Sequence, residues 1–332
     1  MDANAYLAVP IGAVFALPVI FAIYQLMERY PELNLIEVGL KICGPILGRA
    51  LGLIYLFALL ITLVIFTRDT INLVFEYIMN DTPLLVLAVT YLSTAAYLAS
   101  RELETISRLA SFVILPALAV ILLLMIGVLM EISINRILPV FYPGITQYLL
   151  GGASVLHGFY PLGLIGLVTP YLRQIRRKVP RLTLSGILII VLYYALFTIG
   201  TIGIYGHEYL ARFAYPGLDA IHAVEFPYLL IEQAGLLMVI AWITIVMIGS
   251  SFHYYSLGLG LWQVSGFWNY KRFVWLLWLL KLCLIMFPQN VGETKEFSQL
   301  AAGYGWIILF GFPVFLYLWS LLFKKAGGKD KD

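Results

Sequence analysis

Charge is what this chain has least of. Only 12% of its 332 residues are Asp, Glu, Lys or Arg, about half of the roughly 25% usual in soluble domains. Cysteine is nearly absent. Cys43 and Cys283 stand far apart, in no CxxC or zinc spacing, so they read as small apolar packing residues and not as a disulfide framework. The four histidines form no HExxH. There is no glycine-rich phosphate loop and no Ser, His and acid grouping of a nucleophilic triad. The sequence thus offers no catalytic residue, no metal site and no cofactor, and it does not read as an enzyme. The net charge is only +3 and is not gathered on one patch, which argues against a nucleic-acid partner. The N-terminus has no positive n-region or cleavage site, so no removable signal peptide is expected. No linker, low-complexity tract or soluble domain interrupts the chain. A single transmembrane domain over residues 1–332 is expected, with AGGKDKD from Ala326 as a solvated end.

What the chain does have is hydrocarbon. It is 62% hydrophobic, with mean hydropathy +0.93, more apolar surface than a core of this size can hide from water. Nine apolar spans are expected, at 6–26, 44–66, 83–99, 109–130, 148–172, 182–204, 229–249, 273–287 and 306–323. In lipid they must be helices, because an isolated strand leaves its backbone groups unpaired. Basic residues orient them. The loop RQIRRKVPR, Arg173 to Arg181, lies between two long apolar runs, and short Lys/Arg-rich loops stay in the cytoplasm. Alternating from that anchor puts sixteen of the twenty-one basic residues inside. Only Arg68, Arg136, Arg212 and Lys295 fall outside, and Lys281 falls within a span. The C-terminus is then cytoplasmic and Met1 outside. Glu32 to Cys43 reads as a short amphipathic helix along the inner face. The outer loop from Gly206 to Pro227 is long enough to hold another.

The fifth span is the most broken. Gly151, Gly152, Gly158, Pro161, Gly163, Gly166 and Pro170 punctuate it, with His157, Tyr160 and Thr169 among them. Glycine and proline weaken the helical ladder, and freed backbone groups survive in a membrane only where protein or a wet cavity satisfies them. Such breaks either form substrate sites in secondary transporters or are kinks in close-packed helices. Gly44, Gly48 and Gly52 share one helical face and read as a close helix approach. Glu104 and Arg108 are spaced to pair on one helix face, as a surface pair, a gate or a partner contact. Lys281 deep in the eighth span either marks function or snorkels to an interface. Arg68 and Asp69, where the second span meets the outside, are expected to pair with each other or with water. His253, in SSFHYYS after the seventh span, reads as a hydrogen-bonded interior histidine or a proton relay.

Six segments also carry a family resemblance: RYPELNLIEV from Arg29, GPILGRALGLIYL from Gly44, DTPLLVL from Asp81, RELETISRLA from Arg101, NRILPVF from Asn135 and IYGHEYL from Ile204. Their order resembles the spore-germination permeases, the B subunits of GerA-type germinant receptors within the amino acid–polyamine–organocation (APC) superfamily. The Glu104–Arg108 pair, the Leu138–Pro139 segment and the Thr82–Pro83 step match that pattern. The resemblance implies an all-α polytopic, LeuT-like bundle of two inverted five-helix repeats. Its small-molecule site lies between the first and sixth helices. Met1 to Ala5 resembles the step after the family's first helix, with Asn4 in place of Trp, so nine of ten helices are expected here. The fifth span takes the sixth-helix position, making Gly158, Tyr160, Pro161 and Gly163 candidate substrate-binding residues. The implied function is sensing of an amino-acid-like germinant in the inner membrane of the spore or the cell membrane, with A-type and C-type receptor subunits as partners. The alternative is an ion-coupled amino acid permease that carries out transport.

Overall fold

A computed structural model describes residues 5–138, 144–210, 212–213, 215–224 and 234–322. Residues 1–4, Pro139 and the tail from Ala326, all used in the sequence reading, lie outside these. Among the described residues the architecture is entirely helical. In chain order the helices are α1 (Ala8–Arg29), α2 (Leu35–Cys43), α3 (Pro45–Tyr77), α4 (Leu84–Ala99), α5 (Leu103–Met130), α6 (Ile145–Val155), α7 (Leu162–Leu167), α8 (Val179–Tyr205), α9 (His207–Leu210), α10 (Pro216–His222), α11 (Ala234–Ser265), α12 (Tyr270–Ile285) and α13 (Val291–Leu322).

Six segments are long and apolar enough to cross a membrane: Ala5–Arg29, Pro45–Tyr77, Leu103–Met130, Val179–Tyr205, Ala234–Ser265 and Gly305–Leu322. Their outer faces carry Phe112 at 80% exposure and Leu115 at 73%. Side chains of this size standing so far out identify hydrocarbon as the solvent, and the protein is an integral membrane protein. The other expected spans correspond to shorter pieces. α4 and α12 have 16 residues each, and the fifth span is divided between α6 and α7.

Local chemistry sets the boundaries. Asn34 caps α2 by accepting hydrogen bonds from the Ile36 and Glu37 N–H groups at 3.0 and 3.1 Å. The Glu37 carboxylate accepts from the Asn34 N–H at 2.9 Å, closing a reciprocal box worth about 1 kcal/mol. Gly44 then turns the chain at φ 85° and Pro45 opens α3, the glycine-then-proline punctuation of a helix stop and restart. Gly44 is thus a turn glycine. Its sequence neighbours Gly48 and Gly52 are the packing glycines. A Cβ on Gly48 would sit 2.7 Å from the Gly39 carbonyl oxygen, and one on Gly52 would sit 3.3 Å from Val264. α2 is more enclosed than the amphipathic expectation: Leu35, Ile36, Val38 and Ile42 are all buried. Asn34 Nδ2 also donates to Gln263 Oε1 at 2.7 Å, fastening the α1–α2 turn to α11. The segment after α8 carries two short helices, α9 and α10.

Two boundaries fall beyond the hydropathy reading. α3 continues eleven residues past Phe66 to Tyr77, and α11 continues past Gly249 to Ser265. Arg68, Asp69 and the whole of SSFHYYS therefore lie inside helices. No glycine–proline stop follows either apolar run. The polar residues themselves turn inward, so Arg68, Ser250, Ser251, His253 and Ser256 are all buried. α11 is the central post, packed against α3, α4, α5 and α12, while α1 packs on α6, α8 and α13.

Candidate functional site

The fifth span is broken as its glycines and prolines predict. α6 ends at Val155, a 3₁₀ turn covers Leu156–Phe159, and Pro161 precedes the six residues of α7. A second 3₁₀ stretch, Thr169–Lys178, carries the basic loop directly into α8. Small residues seat the first piece against α1. A Cβ on Gly152 would run into Ile11, and one on Gly12 would sit 2.9 Å from the Gly152 carbonyl oxygen.

The broken span is tied to other elements by hydrogen bonds, as a membrane interior requires. The Tyr55 hydroxyl, from α3, donates to the Gly163 carbonyl at 2.8 Å. Tyr55 is fully buried and its ring lies 4.8 Å from that of Phe312 on α13. The Thr169 hydroxyl donates to the Leu33 carbonyl at 3.1 Å, tying the lower piece to the α1–α2 turn.

The four predicted wall residues share this break but not one environment. Tyr160 is buried, with its ring centroid 6.3 Å from Phe66 of α3 and 5.3 Å from His253 of α11. Gly163 is buried against Tyr55, whose hydroxyl would sit 2.6 Å from an added Cβ. Gly158 is half-buried and faces open space, with nothing within 4 Å of where a Cβ would stand. Pro161 is exposed.

Behind Tyr160, α11 is unusually polar. His253 Nδ1 lies 2.8 Å from the Gly249 carbonyl, which orients the ring. Its Nε2, the Tyr254 hydroxyl and the Ser256 hydroxyl are buried without a hydrogen-bond partner among the described residues, a small cluster of the kind that calls for an explanation. The Tyr91 and Ser250 hydroxyls bond at 2.8 Å. Lys281 does not snorkel. It is fully buried, donates to Thr67 Oγ1 at 3.0 Å, and lies 4.4 Å from the centroid of the Tyr254 ring. No carboxylate of the described residues pairs with it. Arg68, one residue on from Thr67, donates to the Ile285 and Pro288 carbonyls at 3.0 and 2.8 Å and forms no ion pair with Asp69. Glu104 and Arg108 meet at 2.6 Å, both well exposed.

Sequence reading did not single out Tyr55, Phe66, Tyr91 or Trp242. The signal available for Tyr55 was weak: one tyrosine in a long apolar run, 108 residues from the carbonyl it caps. Among the described residues no three His, Cys, Asp or Glu side chains gather as metal ligands.

Comparison with known proteins finds relatives along nearly the whole chain. Three relatives from Bacillus subtilis (strain 168) are similar over nearly the whole chain. The putative spore germination protein YfkT is 23% identical, covering 95% of this chain and 86% of its own. Spore germination protein B2 is 21% identical, covering 98% and 88%. Spore germination protein YndE is 22% identical, covering 98% and 89%. The family described as spore germination protein matches residues 1–294. With that match covering most of its length, the chain belongs to the spore permease family of germination proteins.

Proposed function

We propose that this chain is the polytopic, permease-like subunit of a spore germinant receptor, sensing a small amino-acid-like nutrient at the broken helix between α6 and α7. One observation carries the reading. Gly158 faces open space at a helix break, while Tyr160 beside it is held by rings from two other helices. Open space lets a ligand approach backbone that is not committed to a regular ladder, and N–H groups at such a break suit a carboxylate. Tyr160 lines the cavity, Pro161 fixes the turn, and Gly163 lets the Tyr55 hydroxyl hold the lower piece. Movement of one piece relative to the other is the bistable element that passes occupancy on. No covalent step is required.

The finer architecture belongs to the same proposal. α4, the α6–α7 pair and α12 would join the six long helices to make nine crossings of an inverted-repeat bundle, in one domain over residues 1–332. Its C-terminus is cytoplasmic, and A-type and C-type receptor subunits are its partners in the spore inner membrane. Gly158→Trp places a bulky ring at a position where a Cβ meets nothing within 4 Å. Spores carrying it should insert the protein at normal level and lose the nutrient response; a normal response removes the site. Accumulation of labelled amino acid in proteoliposomes holding this chain alone would assign an ion-coupled transporter instead.

A further inference from the structure

A second cavity lies apart from the helix break. It measures about 230 Å³ and is lined by Leu73 of α3, Tyr193 and Phe197 of α8, Tyr215 before α10, and Met238 and Trp242 of α11. Helix α10 forms part of its wall and is seated tightly. A Cβ on Gly217 would run into the Phe197 ring, and a Cβ on Gly235 would run into His222. His222 in turn stacks on Tyr77, 5.7 Å between centroids.

The lining decides the ligand's chemistry. No charged side chain faces the cavity. The nearest acid on α10, Asp219, already accepts from the Tyr77 hydroxyl at 2.7 Å. The Tyr215 hydroxyl donates to the Asp69 carbonyl at 3.3 Å, and burial pushes its pKa up, so it stays neutral. A carboxylate or ammonium entering here would lose its hydration with no charged partner to replace it, which disfavours a zwitterionic amino acid. A dry cavity of about 150 Å³ admits benzene. The larger space here therefore suits one substituted ring or a fused pair, held by faces and edges of aromatic side chains.

We propose that this cavity is a binding site for a neutral, apolar small molecule of phenol to indole size, separate from the amino-acid site. It has a direct route to that site. The Trp242 ring on its wall lies 6.4 Å from Phe66, and Phe66 lies 6.3 Å from Tyr160 at the helix break. A bound ring holds Trp242 and α10 together and so biases Phe66 and Tyr160.

The test is photolabelling of the full chain in liposomes with a neutral phenyl diazirine, mapped by mass spectrometry. Labelling of Tyr193–Phe197 and Tyr215–Leu218 should saturate. Excess indole should lower it about tenfold, while indole-3-acetate, the same ring with a carboxylate, should leave it unchanged. Val239→Trp and Leu73→Trp, which fill the space from α11 and α3, should each abolish the saturable part. Label on lipid-facing Phe112 should persist and report an intact bundle. Gly158→Trp should keep the cavity labelling saturable and indole-sensitive, so this site and the germinant site fail separately. Labelling that rises without saturation, survives both filled variants or yields equally to indole-3-acetate overturns the proposal and assigns the space to lipid acyl chains.

Discussion

Polar groups are buried in two different ways on either side of α11. Where α3 meets α12, the helices are regular and two basic side chains are held among neutral oxygens. Arg68 donates to the Ile285 and Pro288 carbonyls, and Lys281 donates to Thr67. At the α6–α7 break the side chains are mostly neutral and the backbone is irregular. There a tyrosine hydroxyl and a threonine hydroxyl satisfy single carbonyls, and Gly158 looks onto empty space. The first arrangement ties regular helices together through buried side chains and reads as a clamp. The second has open space at Gly158 and a ring relay behind it. A membrane protein that must switch needs both: a frame that holds its shape and a segment whose backbone can take two settings.

The comparison breaks most sharply at Arg68. Arg68→Ala leaves two buried carbonyls without donors and opens a void, so it should lower stability by about 3 kcal/mol or more. A titration with denaturing detergent should show an earlier unfolding midpoint. If the midpoint holds, α3 and α12 are not clamped there. Tyr55→Phe at the break removes one hydrogen bond and strands only the Gly163 carbonyl, at about 1–2 kcal/mol. Its larger effect should fall on the nutrient response, since the lower piece of the broken helix loses its tether. A response with unchanged nutrient sensitivity would show that the tether is not part of the switch.

Much of this contrast was legible in sequence, though unevenly. The break announced itself because glycine and proline act locally, and their positions from Gly151 to Pro170 needed no knowledge of neighbours. The Glu104–Arg108 pair was legible for the same reason, being one helical turn apart. Gly44 shows the limit of such reading. It shares a four-residue spacing with Gly48 and Gly52, yet its φ of 85° makes it a turn, and spacing carries no dihedral angle. The clamp was least legible. Arg68 sits beside Asp69, but its partners lie 217 and 220 residues away, and a hydropathy window ends a span at polar residues whichever way they point. SSFHYYS was displaced from loop to helix core on the same account. Nothing in the sequence near Trp242 or Phe197 indicated that α10 folds back to line a cavity beside them.

Lys281 sharpens the comparison further. A buried amine that faces a hydroxyl and a ring, with no carboxylate partner among the described residues, should cost the fold more than a thioether of similar length. Lys281→Met should therefore leave stability within about 1 kcal/mol of the parent or raise it. If stability is unchanged and the nutrient response falls, the amine serves signalling and α3–α12 is more than a frame. If both are unchanged, Lys281 is a passive occupant and Arg68 alone carries the clamp. The exposed Glu104–Arg108 pair sets the floor of the scale. Charge in water at a helix surface contributes only a few tenths of a kcal/mol, so Glu104→Gln should not shift the unfolding midpoint measurably. A lost nutrient response in that variant, with its midpoint unmoved, would mark the pair as a contact with a partner subunit. Exposed charges would then join the break as places where this protein communicates, and the buried basic side chains would remain the part that does not move.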